Sequence, residues 1–278
     1  MEELAPELGW PSYRVRPVQR WRGDSVEELD DCVAEEAPIA LMYNGEPHVV
    51  MLATPLDLED FALGFSLTEN IVMDASEVES IRTYERSEGI EVRLKIPEAR
   101  CDSAAEKGRN MAGRTGCGLC GARTLKQAVR RPPPVTSRVQ VPVAELIAAL
   151  RNLRERQRLN GLTGAVHAAA WVVPGEEVLQ LREDVGRHNA LDKLIGALAR
   201  KKTDFRTGFV VVTSRASFEM VQKCATVGIG FMAAISAPTG LAIKLAEDSG
   251  LTLLGFARNE DHVVYTHPHR LLHANPAP

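Results

Sequence analysis

The 278-residue chain is poor in several things, and each shortage removes a class of protein. Five cysteines are too few, and odd in number, for a disulfide scaffold of this length. No run of roughly 18 uninterrupted apolar residues occurs, so the sequence offers no membrane-spanning helix. The start, MEELAPELGW, is acidic and has neither the basic nor the apolar region of a secretory leader. A cytoplasmic protein with no membrane partner is the expectation. The formal net charge of −4 supplies no basic excess for a phosphate backbone, which argues against a nucleic-acid partner. Aromatics are scarce at 5%, yet 45% of the residues are hydrophobic, enough to build a sizeable core in one large domain or two smaller ones.

What is there divides into two halves. In "PIALMYNGEPHVVMLAT" (38–54) two apolar runs flank Asn44-Gly45, whose residue types suit the positive φ of a tight hairpin. A helix is expected through "LEDFALGFSL", with Thr54 as N-cap and Pro55 in the first helical position. A second hairpin is expected in 81–96, turning at Ser87-Glu88-Gly89. "RRPPPVTSR" (130–138) cannot continue a helix or a central strand, because proline lacks the N–H. A boundary there divides the chain into 1–135, a smaller α+β subdomain with hairpins and a cysteine loop, and 136–278, an α/β domain.

Beyond residue 142 the pattern alternates. "AELIAALRNLRERQRLNG" reads as one amphipathic helix ending at Gly161, and "HAAAWVV" and "EVLQLRED" as two strands around Pro174-Gly175. "GRHNALDKLIGALARK" is helical, and strand–helix units follow until a final strand "LTLLGFA". Apolar strands separated by amphipathic helices imply a mostly parallel sheet covered on both faces. Ligands of such sheets bind at the carboxyl ends of the strands. The residues there are Thr213, Ser214, Arg215 and Ser217; Ser236, Pro238, Thr239 and Gly240; and Arg258, Asn259, Glu260 and Asp261 after the last strand. Helix N-termini in these loops favour an anion such as phosphate, although hydroxyls in the same places also serve simply as caps.

"EDVGRHNALDKLIG" (183–196) is a second polar cluster. Asp184 and His188, four apart, share a helix face and could orient an imidazole for proton transfer; a structural role for both is the alternative. His167 carries the same ambiguity. The order of elements is similar to the deaminase-like α/β fold, but His167 is followed by Ala168 and Ala169, not by the H-x-E of its zinc enzymes.

The remaining motif is "RTGCGLCGAR" (114–123), with Cys117 and Cys120 two residues apart in a glycine-rich, basic stretch. Structural zinc would need about two more ligands converging from Cys32, Cys101, Cys224, His267 or His269. A thioredoxin-like site would place the pair between a strand and a helix. A sulfur carrier would need an accessible thiolate, which flanking Arg114 and Arg123 and a following helix N-terminus favour. Composition leaves these readings open.

"YNGEPHVVMLATPLDLEDFALGFSLTENIV", "GRTGCGLCG", "TGAVHAAAW", "EDVGRHNALDKLIG", "SRASFEMVQK" and "VYTHPHR", in this order, resemble the formate dehydrogenase accessory sulfurtransferase family from about residue 38 to 270. The resemblance implies a cytidine-deaminase-like mixed sheet with helices on both faces, in a cytoplasmic homodimer. It implies sulfur transfer from a cysteine desulfurase to the bis(molybdopterin guanine dinucleotide) molybdenum cofactor of formate dehydrogenase, with no zinc. Cys117 would hold the persulfide and Cys120 assist. The cofactor's nucleotide end, for which GDP is a surrogate, would lie against Ser214, Arg215, Ser217, Ser236, Thr239 and the segment Phe256, Ala257, Arg258, Asn259, Glu260 and Asp261. A chaperone that escorts the cofactor without moving sulfur is the alternative function.

Overall fold

A computed structural model describes residues 9–101, 131–176 and 180–273. Cys117 and Cys120 lie outside the described residues.

The chain opens with a two-stranded hairpin, β1 (Tyr13–Arg22) and β2 (Ser25–Ala34), whose side chains are nearly all exposed. A four-stranded sheet follows, in the order β4-β3-β6-β5, built from β3 (Ala37–Tyr43), β4 (Glu46–Ala53), β5 (Ser80–Arg86) and β6 (Gly89–Lys95). Both expected hairpins are present, and Asn44 takes the positive φ of 51° that its turn requires. Strict alternation of buried and half-buried residues along β3 lays one face of this sheet on the core.

Helix α1 (Leu58–Thr68) begins three residues later than Pro55 and four later than the expected cap, after a left-handed Asp57. Thr54 is drawn elsewhere: its amide donates to Asp184, its hydroxyl accepts from the Val185 amide and its carbonyl accepts from Lys193. Every residue of α1 except Glu59 is buried. Its partner is α4 (Arg187–Arg200), and the two backbones touch. A Cβ on Gly64 would stand 1.7 Å from the Asp192 carbonyl oxygen, and one on Gly196 would stand 1.9 Å from that of Asp60. Only glycine admits this approach.

The second half forms a six-stranded sheet, β13-β12-β11-β10-β8-β9. Its strands are β8 (His167–Val172), β9 (Gln180–Asp184), β10 (Phe209–Val212), β11 (Phe231–Ala234), β12 (Thr252–Arg258) and β13 (Asp261–Thr266). Parallel pairing is confined to β10, β11 and β12, while the β8–β10, β8–β9 and β12–β13 pairs are antiparallel. The sheet is therefore mixed, as the family resemblance implies, and not mostly parallel as the alternation alone suggests. Strand periodicity reports burial on both faces but not direction.

Alternate strand residues serve two cores. Val210, Val212, Met232 and Leu253 face α4, α5 (Phe218–Thr226) and α6 (Gly240–Ser249). Phe209, Val211, Phe231 and Leu254 face α2 (Val143–Arg156). The expected single helix 144–161 breaks at Gln157, and α3 (Arg158–Thr163) restarts because the Glu183 carboxylate accepts from the Leu159 and Asn160 amides. A short parallel pair, β7 (Val141–Pro142) and β14 (Leu271–Leu272), completes the described fold.

Candidate functional site

The carboxyl ends of β10, β11 and β12 converge as sheet geometry requires. The loops after β10 and β11 run side by side through a parallel bridge between Ala216 and Pro238, and the Thr239 amide donates to the Ala216 carbonyl at 3.0 Å. The Phe256 amide reaches the Ser236 carbonyl at 3.3 Å, and a Cβ on Gly255 would meet Pro238 at 2.6 Å. Ser214, Arg215, Ser217, Ser236, Thr239 and Phe256 thus share one surface.

The segment 256–261 is a hairpin end, not a loop after the last strand, because β13 follows and pairs Asp261 with Arg258. A register shift between Gly255 and Arg258 accompanies left-handed backbone at Phe256 (φ 51°), and Asn259 in the turn is also left-handed (φ 54°). Such a conformation is uncommon for an aromatic residue, and it leaves Phe256 44% exposed at the strand end. The Arg258 guanidinium donates to the Ile235 carbonyl at 2.9 Å. Ala257, fully buried, packs toward α2. Between that helix and the hairpin lies a cavity of about 270 Å³ that Arg151, Arg154, Arg258, Asn259 and Glu260 help to line. The two α2 arginines are absent from the sequence reading; their i, i+3 spacing on one face is the signal that points to them.

Two hydroxyls have local tasks. Thr239 caps α6 by accepting from the Ala242 amide, and Ser214 donates to the Arg215 carbonyl at 3.0 Å. Ser217 precedes α5 without capping it; its hydroxyl donates to Glu219 at 3.0 Å and lies 3.5 Å from His188 Nε2.

The "EDVGRHNALDKLIG" cluster separates. Asp184 does not partner His188. It is fully buried, 2.7 Å from Lys193 Nζ, and accepts from Thr54, Gly186 and Asn189. Asp192 is likewise buried, held by Lys223 and Thr68. The carboxylate facing His188 is Glu219, at 3.6 Å, a partner 31 positions away that helical spacing could not reveal. Burial opposes ionisation of Glu219, but the bond from His188 leads a set of interactions that keeps its pKa below the usual value. His167, which starts β8, lies 3.5 Å from the Thr213 hydroxyl. Burial, then the charges of Arg187 and His188, lower its pKa. The remaining described cysteines stand apart: Cys224 is buried in α5 with its thiol pushed up to about 12, while Cys32 and Cys101 are half-buried.

A family profile described as the FdhD/NarQ family matches residues 34–272. A relative from Cupriavidus necator named sulfur carrier protein FdhD is 52% identical over 263 residues, covering 95% of this chain and 91% of that protein. One of the same name from Bordetella petrii is 54% identical over 256 residues, covering 91% and 92%. A crystal structure from Desulfotalea psychrophila, described as a candidate formate dehydrogenase accessory protein, superposes with a TM-score of 0.74 at 26% identity, covering 94% of this chain and all of that one. Sequence match and fold agree over nine-tenths of the length: the chain belongs to the FdhD/NarQ family.

Proposed function

We propose that this chain carries sulfur as a persulfide on Cys117, taking it from a cysteine desulfurase and delivering it to the bis(molybdopterin guanine dinucleotide) cofactor of formate dehydrogenase. The observation that carries the reading is the identity of 52% with a named sulfur carrier across nearly the whole chain, joined to the "GCGLCG" stretch that supplies two thiols in a glycine-rich sequence. In the loading step the Cys117 thiolate attacks the terminal sulfur of the desulfurase persulfide. A new S–S bond forms on Cys117 and the desulfurase thiolate leaves. In the delivery step the Cys120 thiolate attacks the inner sulfur, closing a disulfide and releasing the terminal sulfur as sulfide; a cellular dithiol then reduces the pair. The strand-end surface around Arg215 and Phe256 would receive the nucleotide end of the cofactor, which is the substrate in this reaction.

Mass spectrometry after incubation with a cysteine desulfurase and cysteine tests the reading directly. One added sulfur on the 114–123 peptide is the expected result, absent in Cys117→Ser, which should also fail to activate formate dehydrogenase. Full activation by Cys117→Ser would falsify the persulfide step and leave escort of the cofactor as the function.

A further inference from the structure

We propose that the β1–β2 hairpin is a docking surface for a second copy of this chain, whose own hairpin lies face to face on the side that carries Val15, Trp21 and Val26, with the two-fold axis running along the strands. The surface takes no part in the sulfur chemistry or in the nucleotide surface, and its test is independent of both.

Exposure is the first observation. Each strand is ten residues long, so the hairpin extends about 33 Å from Tyr13 and Ala34 to its turn. A two-stranded ribbon is marginal in water unless a hydrophobic face of it is covered. Helix α3 touches β2, and the cross-strand pair of Val18 and Leu29 is half-buried. Side chains alternate, so Trp21 with Val26 and Val15 with Cys32 lie on the opposite face. There Trp21 is 61% exposed, Val15 56% and Val26 49%. A bare indole among bare valines has the composition of an interface anchor, not of a solvated arm.

Charge identifies the occupant. Strand β1 carries Arg14, Arg16, Arg20 and Arg22 and no acid; β2 carries Glu27, Glu28, Asp30 and Asp31 and no base. Although Arg16 is in register with Asp31 and Arg20 with Glu27, no ion pair joins the two strands among the described residues, and Arg14 and Arg16 turn to Glu35 instead. A ribbon with one basic and one acidic strand, their charges unspent on each other, is complementary to a copy of itself laid strand on opposite strand.

Two arrangements with a two-fold axis stack such ribbons, and charge separates them. Of the charged side chains on the hairpin, only Glu28 and Asp30 share the face of Trp21. An axis across the strands sets β2 on β2 and brings these acids against their own copies. An axis along the strands sets β2 on β1, so that Glu28 lies over the partner's Gln19, Asp30 over the partner's Pro17 and Trp21 over the partner's Val26. Pairing edge to edge, β1 on β2, is head to tail and propagates without closing, whereas the stacked pair closes at two copies. A face about 33 Å long and two strands wide covers roughly 300 Å² per chain, less than half of a standard interface, so the dimer dissociates in the micromolar range.

Sedimentation equilibrium of the full chain at increasing concentration tests the surface. The parent should pass from monomer to dimer, and Trp21→Lys should weaken the association about tenfold or more; Val50→Lys, at a similarly exposed valine on β4, should not. A parent that stays monomeric across the micromolar range overturns the inference and leaves the face to a different protein. A Trp21→Lys dimer as tight as the parent's overturns it as well. Should Trp21→Lys lower the urea midpoint of the chain, Val26→Lys on the neighbouring strand gives a second reading with the same two outcomes. Native mass spectrometry of the parent mixed with isotope-labelled Glu28→Lys/Asp30→Lys then reads the axis. With the axis along the strands, the variant should associate with itself more weakly than the parent does, because its lysines lie beside the partner's arginine strand, and mixed dimers should be intermediate. Mixed dimers tighter than both would set β2 on β2 and overturn the arrangement.

Discussion

The middle and the first turn of α4 treat charge in opposite ways. In the middle, Asp192 meets Lys223, and Lys193 meets Asp184, each pair completed by bonds to Thr68 or Thr54. In the first turn, Arg187 has a buried Nε without an acceptor and His188 shares Glu219 with Ser217. Both sets come from one stretch of 14 residues. Buried charges that are paired fix where elements sit, since breaking such a pair is far more costly than never having made it. Here they dock α1 and the residues after β4 on the sheet. Among the described residues, the first turn of α4 holds no fully buried ion pair of that kind.

The middle of α4 is where the largest effect is expected. Lys193→Met should destabilise the fold by about 3 kcal/mol, the lower end of the range for breaking a buried pair, because three N–H donors still hold Asp184. Urea denaturation measures it, and Asp184→Asn added to Lys193→Met should recover part of the loss. A change below about 1 kcal/mol would show that the pair contributes little and erase the contrast between the middle of the helix and its first turn.

An effect of similar or smaller size, confined to binding, is expected on the strand-end surface. Arg215 is exposed and its removal leaves no buried partner stranded, so Arg215→Ala should shift stability by no more than about 0.5 kcal/mol. Loss of a charge-assisted bond should nevertheless weaken GDP by about 1.5–3 kcal/mol. Unchanged GDP affinity by calorimetry would remove Arg215 from the nucleotide surface and return its loop to connecting β10 with α5.

Local signals in the sequence reached local structure. Asn44-Gly45 and Ser87-Glu88-Gly89 mark turns because the backbone there demands particular residue types, and alternation of strands and helices marks the α/β layer. What escaped was set by partners distant in sequence. Thr54 has the residue type of a cap but is bound by Asp184 and Lys193, more than 100 positions away, and α1 starts later in consequence. Helices α2 and α3 read as one until Glu183 arrives to bond the second start. The β1–β2 hairpin alternates charge where hydrophobic periodicity would be sought, and Gly23, at φ 59°, is its one clear turn signal. At the candidate site, the convergence of the loops at the strand ends was legible from topology. The pairing of His188 with Glu219 in place of Asp184 was not, because helical spacing finds only partners on the same helix.

The smallest expected effect lies in pH, and it reads the first turn of α4 through one ring. His167 is half-buried beside Arg187 and His188, with the committed acids Asp184 and Glu219 on adjoining elements, and its pKa sits below the ordinary 6.5. Between that lowered value and 6.5 the unfolded chain binds a proton that the folded chain refuses, so stability rises with pH across this window. The contribution is complete above 6.5 and is lost as pH falls through the folded value. His167→Gln should therefore flatten the decline of the urea midpoint between about pH 7 and pH 5. Identical pH profiles for parent and His167→Gln would show that the ring is indifferent to its neighbours.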